Sequence, residues 1–394
     1  MKQIYRHALL TLLLGATCAT AGATTGDIIN EDFSGFTGLY GNNTVIEKNG
    51  WTVHGCSTGT NTYTGMIKFE LIDKSTGNAY ATTPAFSGLT ETCNAVMTFR
   101  YANTNSSKHA SFSVTIRNGG KFPDGSTTWE TTITTDSEVF NSETLKLIGV
   151  NAATSIRIKL TSTNGGYFVL DDVVISTADQ VVLSESAANV LETKEADVTV
   201  GRTIQGGVWN TLCLPFDIDP NTMAQATGNA VGDVSLRTYT GYDDGAMIFT
   251  SVTDAISAGT PFLVKIATTS VNPFFPLASL KGDATALTVT HGSARMTGTL
   301  EPTDIGTTGL FLTASGELKK GSGGNTTLKG LRAYFTVASG ASARLLFRDG
   351  TMGISETETA PTADRWYTLD GQGLSSQPTQ RGIYIKDGKK VIIR

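Results

Sequence analysis

Short stretches in which apolar and polar residues alternate, each closed by Gly, Asn, Asp or Ser, recur along nearly the whole chain. Met66 to Ile72, Ala95 to Tyr101, Ser111 to Arg117, Ser155 to Leu160 and Tyr167 to Ile175 are the clearest in the first third. A period of two sends successive side chains to opposite faces, so each run describes a half-buried strand. No helical pattern of comparable strength competes with them. The weak candidate, Ser186 to Ala196, is acidic and Ala-rich and reads as a linker. The pattern predicts an all-β protein.

A chain of 394 residues accommodates two or three such units. The first is expected over residues 27–178, a linker over 179–196, and a second β-rich domain over 197–352. In that second domain, strands are expected at Val198 to Ile204, Thr211 to Phe216, Met247 to Val252, Pro261 to Ile266, Ala286 to Thr290, Gly309 to Thr313, Leu331 to Val337 and Ala343 to Phe347. Asp243-Asp244-Gly245 has the chemistry of a hairpin turn. A polar linker over 353–364 leads to a small C-terminal unit over 365–394, where Asp387-Gly388 joins Gly382 to Lys386 and Lys389 to Arg394 as a hairpin.

Residues 1–23 have the form of a cleaved secretory leader: Lys2 and Arg6, an apolar run from Ala8 to Ala16, then small residues at Ala19-Thr20-Ala21 and Ala21-Gly22-Ala23. Gly15-Ala16-Thr17 makes a poor lipidation box before Cys18. No other apolar stretch is long enough for a transmembrane helix. A net charge of −5 and a charged fraction of 16% give no footprint for nucleic acid, which needs clustered Lys and Arg. An exported chain is permitted disulfides, so Cys56 and Cys93 form either a bridge or two buried thiols, and the sequence leaves both open. Cys213, between Leu212 and Leu214, reads as a packed small hydrophobe.

Asp171-Asp172 inside Tyr167 to Ile175 is the one place where carboxylates enter an apolar run. A regular strand splits them between two faces, which argues against an acid–base pair. Asp171 then shares the expected core face with Val169, Val173 and Ile175 and needs a cation or several donors there. Other catalytic signatures are missing: no GxSxG, no HExxH and no Walker loop. His54, His109 and His291 lack metal-ligand spacing, and Gly321-Ser322-Gly323-Gly324 is a turn with no helix pattern behind it. The two carboxylates of a glycoside hydrolase are placed only by the fold, so that chemistry is unsupported by the sequence without being excluded. Sugar binding asks for exposed aromatic faces beside polar groups. Trp51, Tyr63, Tyr101 and Trp129, with Arg100, Asn103 and Asn105 close by, are candidates for such a site, although core or hairpin positions are the commoner place for any one such aromatic. Trp209, which leads into an apolar strand, reads as core.

Three parts of the chain resemble known families. Glu31-Asp32-Phe33, Gly50-Trp51, Thr83-Pro84-Ala85-Phe86, Met97-Thr98-Phe99-Arg100-Tyr101, Trp129 and Leu170-Asp171-Asp172-Val173 make the first domain similar to jelly-roll modules of secreted bacterial proteins. That group spans carbohydrate-binding modules and cleaved-adhesin-like domains. Gly207 to Phe216, Ala258 to Lys265 and Leu331 to Phe335 resemble a β-rich region of exported Bacteroides and Prevotella proteins, to which no activity attaches. Trp366 to Gln372 with Gly382 to Lys390 is similar to type IX secretion sorting segments. The first resemblance implies a jelly-roll β-sandwich and a structural calcium between first and last strands, with Glu31 or Asp32 and Asp171 as ligands. The third implies the secretion machinery as a partner. Together they lead to the expectation of a secreted or surface-held, non-catalytic protein whose first domain binds a glycan. Alternatives are an adhesin-like surface protein without a small ligand and an uncharacterised glycoside hydrolase.

Overall fold

A computed structural model describes residues 26–39, 45–70, 79–162, 165–320, 326–338 and 343–348, and in the C-terminal unit 366–368, 373–374, 378–386 and 389–393. The leader over 1–23, Cys18, the linker over 353–364 and the Asp387-Gly388 turn lie outside the described residues.

The first unit is built from β1 (Asp27–Glu31), β2 (Val45–Lys48), β3 (Trp51–His54), β4 (Cys56–Thr58), β5 (Ile67–Phe69), β6 (Tyr80–Thr82), β7 (Cys93–Asn103), β8 (Ser111–Arg117), β9 (Thr128–Thr132), β10 (Phe140–Val150), β11 (Ser155–Leu160) and β12 (Phe168–Thr177). A first sheet runs β10-β7-β12-β5-β4, with β1 on the remaining half of the edge that β12 shares with β5. The second sheet runs β2-β3-β6-β11-β8-β9. Every ladder is antiparallel and neighbours are mostly not consecutive in sequence, as in the double-sheet jelly-roll arrangement. Alternate residues of both sheets fill the space between them. Phe33, Phe36, Trp51, Phe69, Phe86, Phe99, Phe112 and Phe168 are fully buried there, and Phe168 stacks between Phe69 at 4.3 Å and Phe112 at 4.6 Å. Each such ring removed from water stabilises the fold by about 1.5–3 kcal/mol.

This topology decides one open question and corrects one expectation. Of the two outcomes the sequence left open for Cys56 and Cys93, the structure has two buried thiols and not a bridge. Cys56 sits on edge strand β4, level through Phe69 and Phe168 with Asn103, at the far end of β7 from Cys93. Three strand spacings and the length of β7 therefore separate the two, far beyond the ~7 Å Cα limit for a disulfide. The correction is in β12. Its register against β7 breaks between Asp171 and Val174, and Asp172 adopts φ 49°. This bulge resets the alternation: Phe168, Leu170, Val173 and Ile175 join the core, while Val169 and Asp171 face the other side of the sheet. Asp171 is buried, but beneath the outer face.

Residues 179–196 are not a linker throughout. Asp179–Ser184 is a strand that pairs in parallel with Lys194–Gly201, and that strand pairs with Phe274–Leu280. Beyond it lies a five-stranded sheet in the order Asn210–Leu212, Phe262–Ile266, Val234–Asp243, Ala246–Ser251, Arg344–Arg348. Its two faces serve separate cores. Leu212, Leu236, Phe262 and Val264 line one; Tyr239, Phe249, Leu263 and Phe347 line the other, closed by the sheet of Thr288–His291, Ala294–Thr299, Arg332–Thr336, Leu310–Leu312 and Leu318–Lys320. Asp244 at φ 42° and Gly245 at φ 70° form the expected two-residue hairpin between Asp243 and Ala246. Cys213 is packed as a hydrophobe, its thiol pushed up to about 12 by burial. A short helix, Pro220–Thr227, was not expected. Its signals are local: Asp219 accepts from the N–H groups of Asn221 and Thr222, Pro220 occupies the first turn, and Gly228 ends it at φ 68°. In the C-terminal unit Gly382–Lys386 pairs with both Lys389–Ile393 and Trp366–Thr368.

Candidate functional site

The outer face of the first sheet gathers polar and aromatic groups from strands distant in sequence. Register sets Asp171 of β12 beside Arg100 of β7 and Arg100 beside Ser142 of β10; the next step aligns Val169, Ala102 and Phe140. Because the bulge aims Asp171 outward, the Arg100 side chain contacts Asp172 while its charge acts on Asp171. Its Nη1 donates to Asp172 Oδ2 at 2.9 Å, with the two side chains 40% and 46% exposed. Its guanidinium carbon lies 4.8 Å from the centre of the Phe140 ring. Tyr63, in the 3-10 turn Asn61–Tyr63, meets Phe140 edge-on at 6.4 Å and donates its hydroxyl to the Asn103 carbonyl at 3.2 Å. On the β5 side, Lys68 lies opposite Val169, pairs with Glu70 at 2.6 Å and stands 5.8 Å from the Tyr167 ring.

Electrostatics mark Asp171 as the unusual group. Burial raises its pKa above the ordinary carboxylate value, the Asp172 charge raises it further, and Asp32 adds to both against the pull of Arg100. Burial likewise raises the Tyr63 phenol.

Of the residues expected at a site, this face brings together Arg100, Tyr63 and Asp171. Trp51 is in the core against Phe33 at 5.2 Å and offers no free ring face. Tyr101 belongs to the core face of β7 and packs on Phe112 at 5.1 Å, because it alternates with Arg100. Asn103 is completely buried and structural: its amide donates to the carbonyls of Asn105 and Lys108, and its side-chain oxygen accepts from Ala110 N at 3.3 Å. Trp129 is half-buried on β9, in the other sheet, and packs inward on Phe112 at 5.9 Å. Phe140, Lys68 and Tyr167 were missed, and Asp172 was expected on the outer face without a role. Phe140 opens the alternating run Phe140–Val150, a signal present in the sequence; the outward turn of Asp171 depends on a bulge that is not.

β1 does lie against β12, as a calcium link between first and last strands requires, with Glu31 opposite Val173. The Asp32 charge reaches Asp171, while both acidic groups at the end of β1 are engaged locally. Glu31 accepts from Phe33 N at 3.0 Å, and Asp32 accepts from both Ser34 N and Ser34 Oγ, which holds the Asp32 pKa below its usual value. Among the described residues no three His, Cys, Asp or Glu side chains form a group able to hold a metal ion.

No protein-family model matches the chain, and no curated protein sequence matches it. Among solved structures it is similar to the K3 cleaved adhesin domain of Lys-gingipain from Porphyromonas gingivalis, at 15% identity and TM-score 0.28 over 38% of this chain and 99% of that one. It is also similar to the CBM22-1 xylan-binding domain of Paenibacillus barcinonensis Xyn10C, at 10% identity and TM-score 0.25 over 40% and 97%. The CBM22-1-CBM22-2 tandem of the same protein matches at 9% identity and TM-score 0.31 over 67% and 100%.

Proposed function

We propose that this is a non-catalytic binding protein that takes up a glycan on the outer face of the first sheet. One observation carries the reading: Arg100, Asp172, Phe140 and Tyr63 form a connected, solvent-reachable array across neighbouring strands. A saccharide offers hydroxyl groups around patches of C–H surface. The array answers with guanidinium donors, carboxylate acceptors and ring surface. The Arg100–Asp172 pair and the Phe140 contact hold these groups in place before a ligand arrives, which lowers the ordering cost of binding.

The same proposal includes work outside the cell, at or beyond the surface. It is supported by the leader-like residues 1–23 and by a C-terminal segment with the pattern of exported chains. No helix among the described residues is long and apolar enough to cross a membrane.

Affinity electrophoresis of the full chain in gels containing neutral plant and microbial polysaccharides tests it. At least one polysaccharide should retard the protein, and Arg100→Ala or Phe140→Ala should weaken that retardation by about tenfold, the equivalent of ~1.4 kcal/mol. Retardation by no polysaccharide would remove the glycan reading in favour of adhesion to a protein surface.

A further inference from the structure

The opposite face of the same sandwich, the outer side of the second sheet, has a different character. Register places Arg157 of β11 level with Thr82 on β6 and Thr115 on β8, while Lys159 is level with Tyr80 and Ser113. Arg117 of β8 is level with Ser155, diagonally next to Arg157. Strand geometry therefore sets Arg117, Arg157 and Lys159 in one oblique row, each on the order of 7 Å from the next. Arg157 is fixed: its Nε donates to Thr82 Oγ1 at 3.0 Å and its guanidinium lies 4.2 Å from the Tyr80 ring centre. His54 stacks on Tyr80 at 5.3 Å with 19° between the planes.

These cations have no carboxylate among them. Arg117 and Lys159 form no ion pair with any described residue, and the charge that acts most strongly on Arg157 is the like charge of Arg117. Acidic groups of this sheet stand on its two edge strands: Glu130 on β9, opposite Ser113, and Glu47 on β2, which accepts from Thr52 Oγ1 at 2.8 Å. Around the row lie the hydroxyls of Thr82, Ser113, Thr115 and Ser155. The Tyr80 ring is engaged by His54 and by the Arg157 guanidinium, so what this face offers a ligand is chiefly charge and hydroxyls. The side-chain contacts to the second unit come from Asn94 and Lys146 of the first sheet, which leaves this face clear among the described residues.

We infer that the outer face of the second sheet is a second binding site, for an acidic polysaccharide whose carboxylate or sulfate groups meet Arg117, Arg157 and Lys159. Charge complementarity selects the occupant. A chain of net charge −5 repels polyanions as a whole, and this row is where the sign locally reverses. Hydroxyl-lined cations at saccharide-scale spacing suit a chain of sugars bearing repeated charges.

The test uses the full chain with three probes: polygalacturonate for carboxylates, dextran sulfate for sulfates, and uncharged dextran. At low ionic strength one or both polyanions should retard the protein while dextran does not, and added salt should weaken the effect by screening. Arg117→Gln with Lys159→Gln removes two charges that fold contacts do not use. That double variant should lose about tenfold in affinity, at ~0.5–1 kcal/mol per exposed charge. Adding Arg157→Gln should abolish retardation, and Arg157→Lys in the wild-type background should preserve most of it. Arg100→Ala should leave polyanion binding unchanged, which separates this site from the first. Equal behaviour on polyanions and dextran, or full affinity in the double variant, would overturn the assignment. So would binding to phosphatidylglycerol vesicles with no retention on either polyanion.

Discussion

Asp171 is held where its charge is least favoured, and its pH behaviour follows from that. Burial and the Asp172 charge raise its folded pKa above the ordinary 3.8. The folded state therefore binds this proton more tightly than the unfolded chain does. Between 3.8 and the folded value, stability falls as pH rises; above the folded value the full cost of an ionised, buried carboxylate is present. Replacing the charge should remove that cost. Asp171→Asn is expected to raise the melting temperature at pH 7 by on the order of 1–3 °C, a modest gain because water still reaches the site. The gain should shrink as pH is lowered and vanish below about 3.8, where the wild-type side chain is also neutral. Thermal melts of wild type and variant at pH 7, 5 and 3.5 measure it; a constant offset at all three would show that the effect is not electrostatic. Asp171 thus stands on the proposed ligand face at a cost in stability.

At the scale of elements, the bulge in β12 decides which residues the first sheet presents. Without the extra residue at Asp172, Val169 and Asp171 would share a face with Val173 and Ile175, the arrangement that simple alternation predicts. Asp172 stands at φ 49°, a left-handed conformation that Asp and Asn tolerate and β-branched residues do not. Asp172→Val should therefore destabilise the protein by about 1–2 kcal/mol more than Asp172→Asn, while both lose the ion pair with Arg100. Urea midpoints of the two variants give the comparison, and equal midpoints would mean that the bulge relaxes freely. This element also shows what was legible in the sequence. The strands of Cys93–Asn103, Ser111–Arg117, Ser155–Leu160 and Phe168–Thr177 follow from period-two alternation, because half-burial writes that period directly. The bulge does not, since one inserted residue leaves composition and local propensity unchanged. The array of Arg100, Asp172, Phe140 and Tyr63 was half visible for the same reason: residue types can be read from the chain, but the register that brings β7, β10 and β12 together cannot. Trp51 and Tyr101 were candidates by type and became core by phase.

Across the whole molecule, the question is whether the two β units act separately or as one. Only Ala178 lies between the end of β12 and the strand Asp179–Ser184, too little chain for a flexible joint. The junction is closed by polar groups with partners on both sides. Asp197, 4% exposed, accepts from Asn94 Nδ2 of the first unit at 2.9 Å and from Leu277 N at 3.0 Å and Gln180 Nε2 at 3.0 Å. Nearby, Lys146 of β10 pairs with Glu195 at 2.7 Å and donates to Leu277 O and Ser279 Oγ at 2.8 Å each. A buried carboxylate so fully satisfied holds its partners in one geometry. Removing it leaves the buried N–H of Leu277 and the amide of Asn94 without an acceptor. Asp197→Ala should therefore cost about 2–4 kcal/mol at the junction itself. In calorimetry the wild-type units are expected to unfold in one transition, because neither can open without exposing the other's half of this network. The variant should show two transitions, the lower one displaced by several degrees. Two well-separated transitions in the wild type would mean that the units melt independently, and that the junction sets orientation without linking their stabilities. With the joint closed, the two outer faces of the first unit are fixed in direction relative to the second. On the proposed function, a polysaccharide held on either face would meet the rest of the protein in a single orientation.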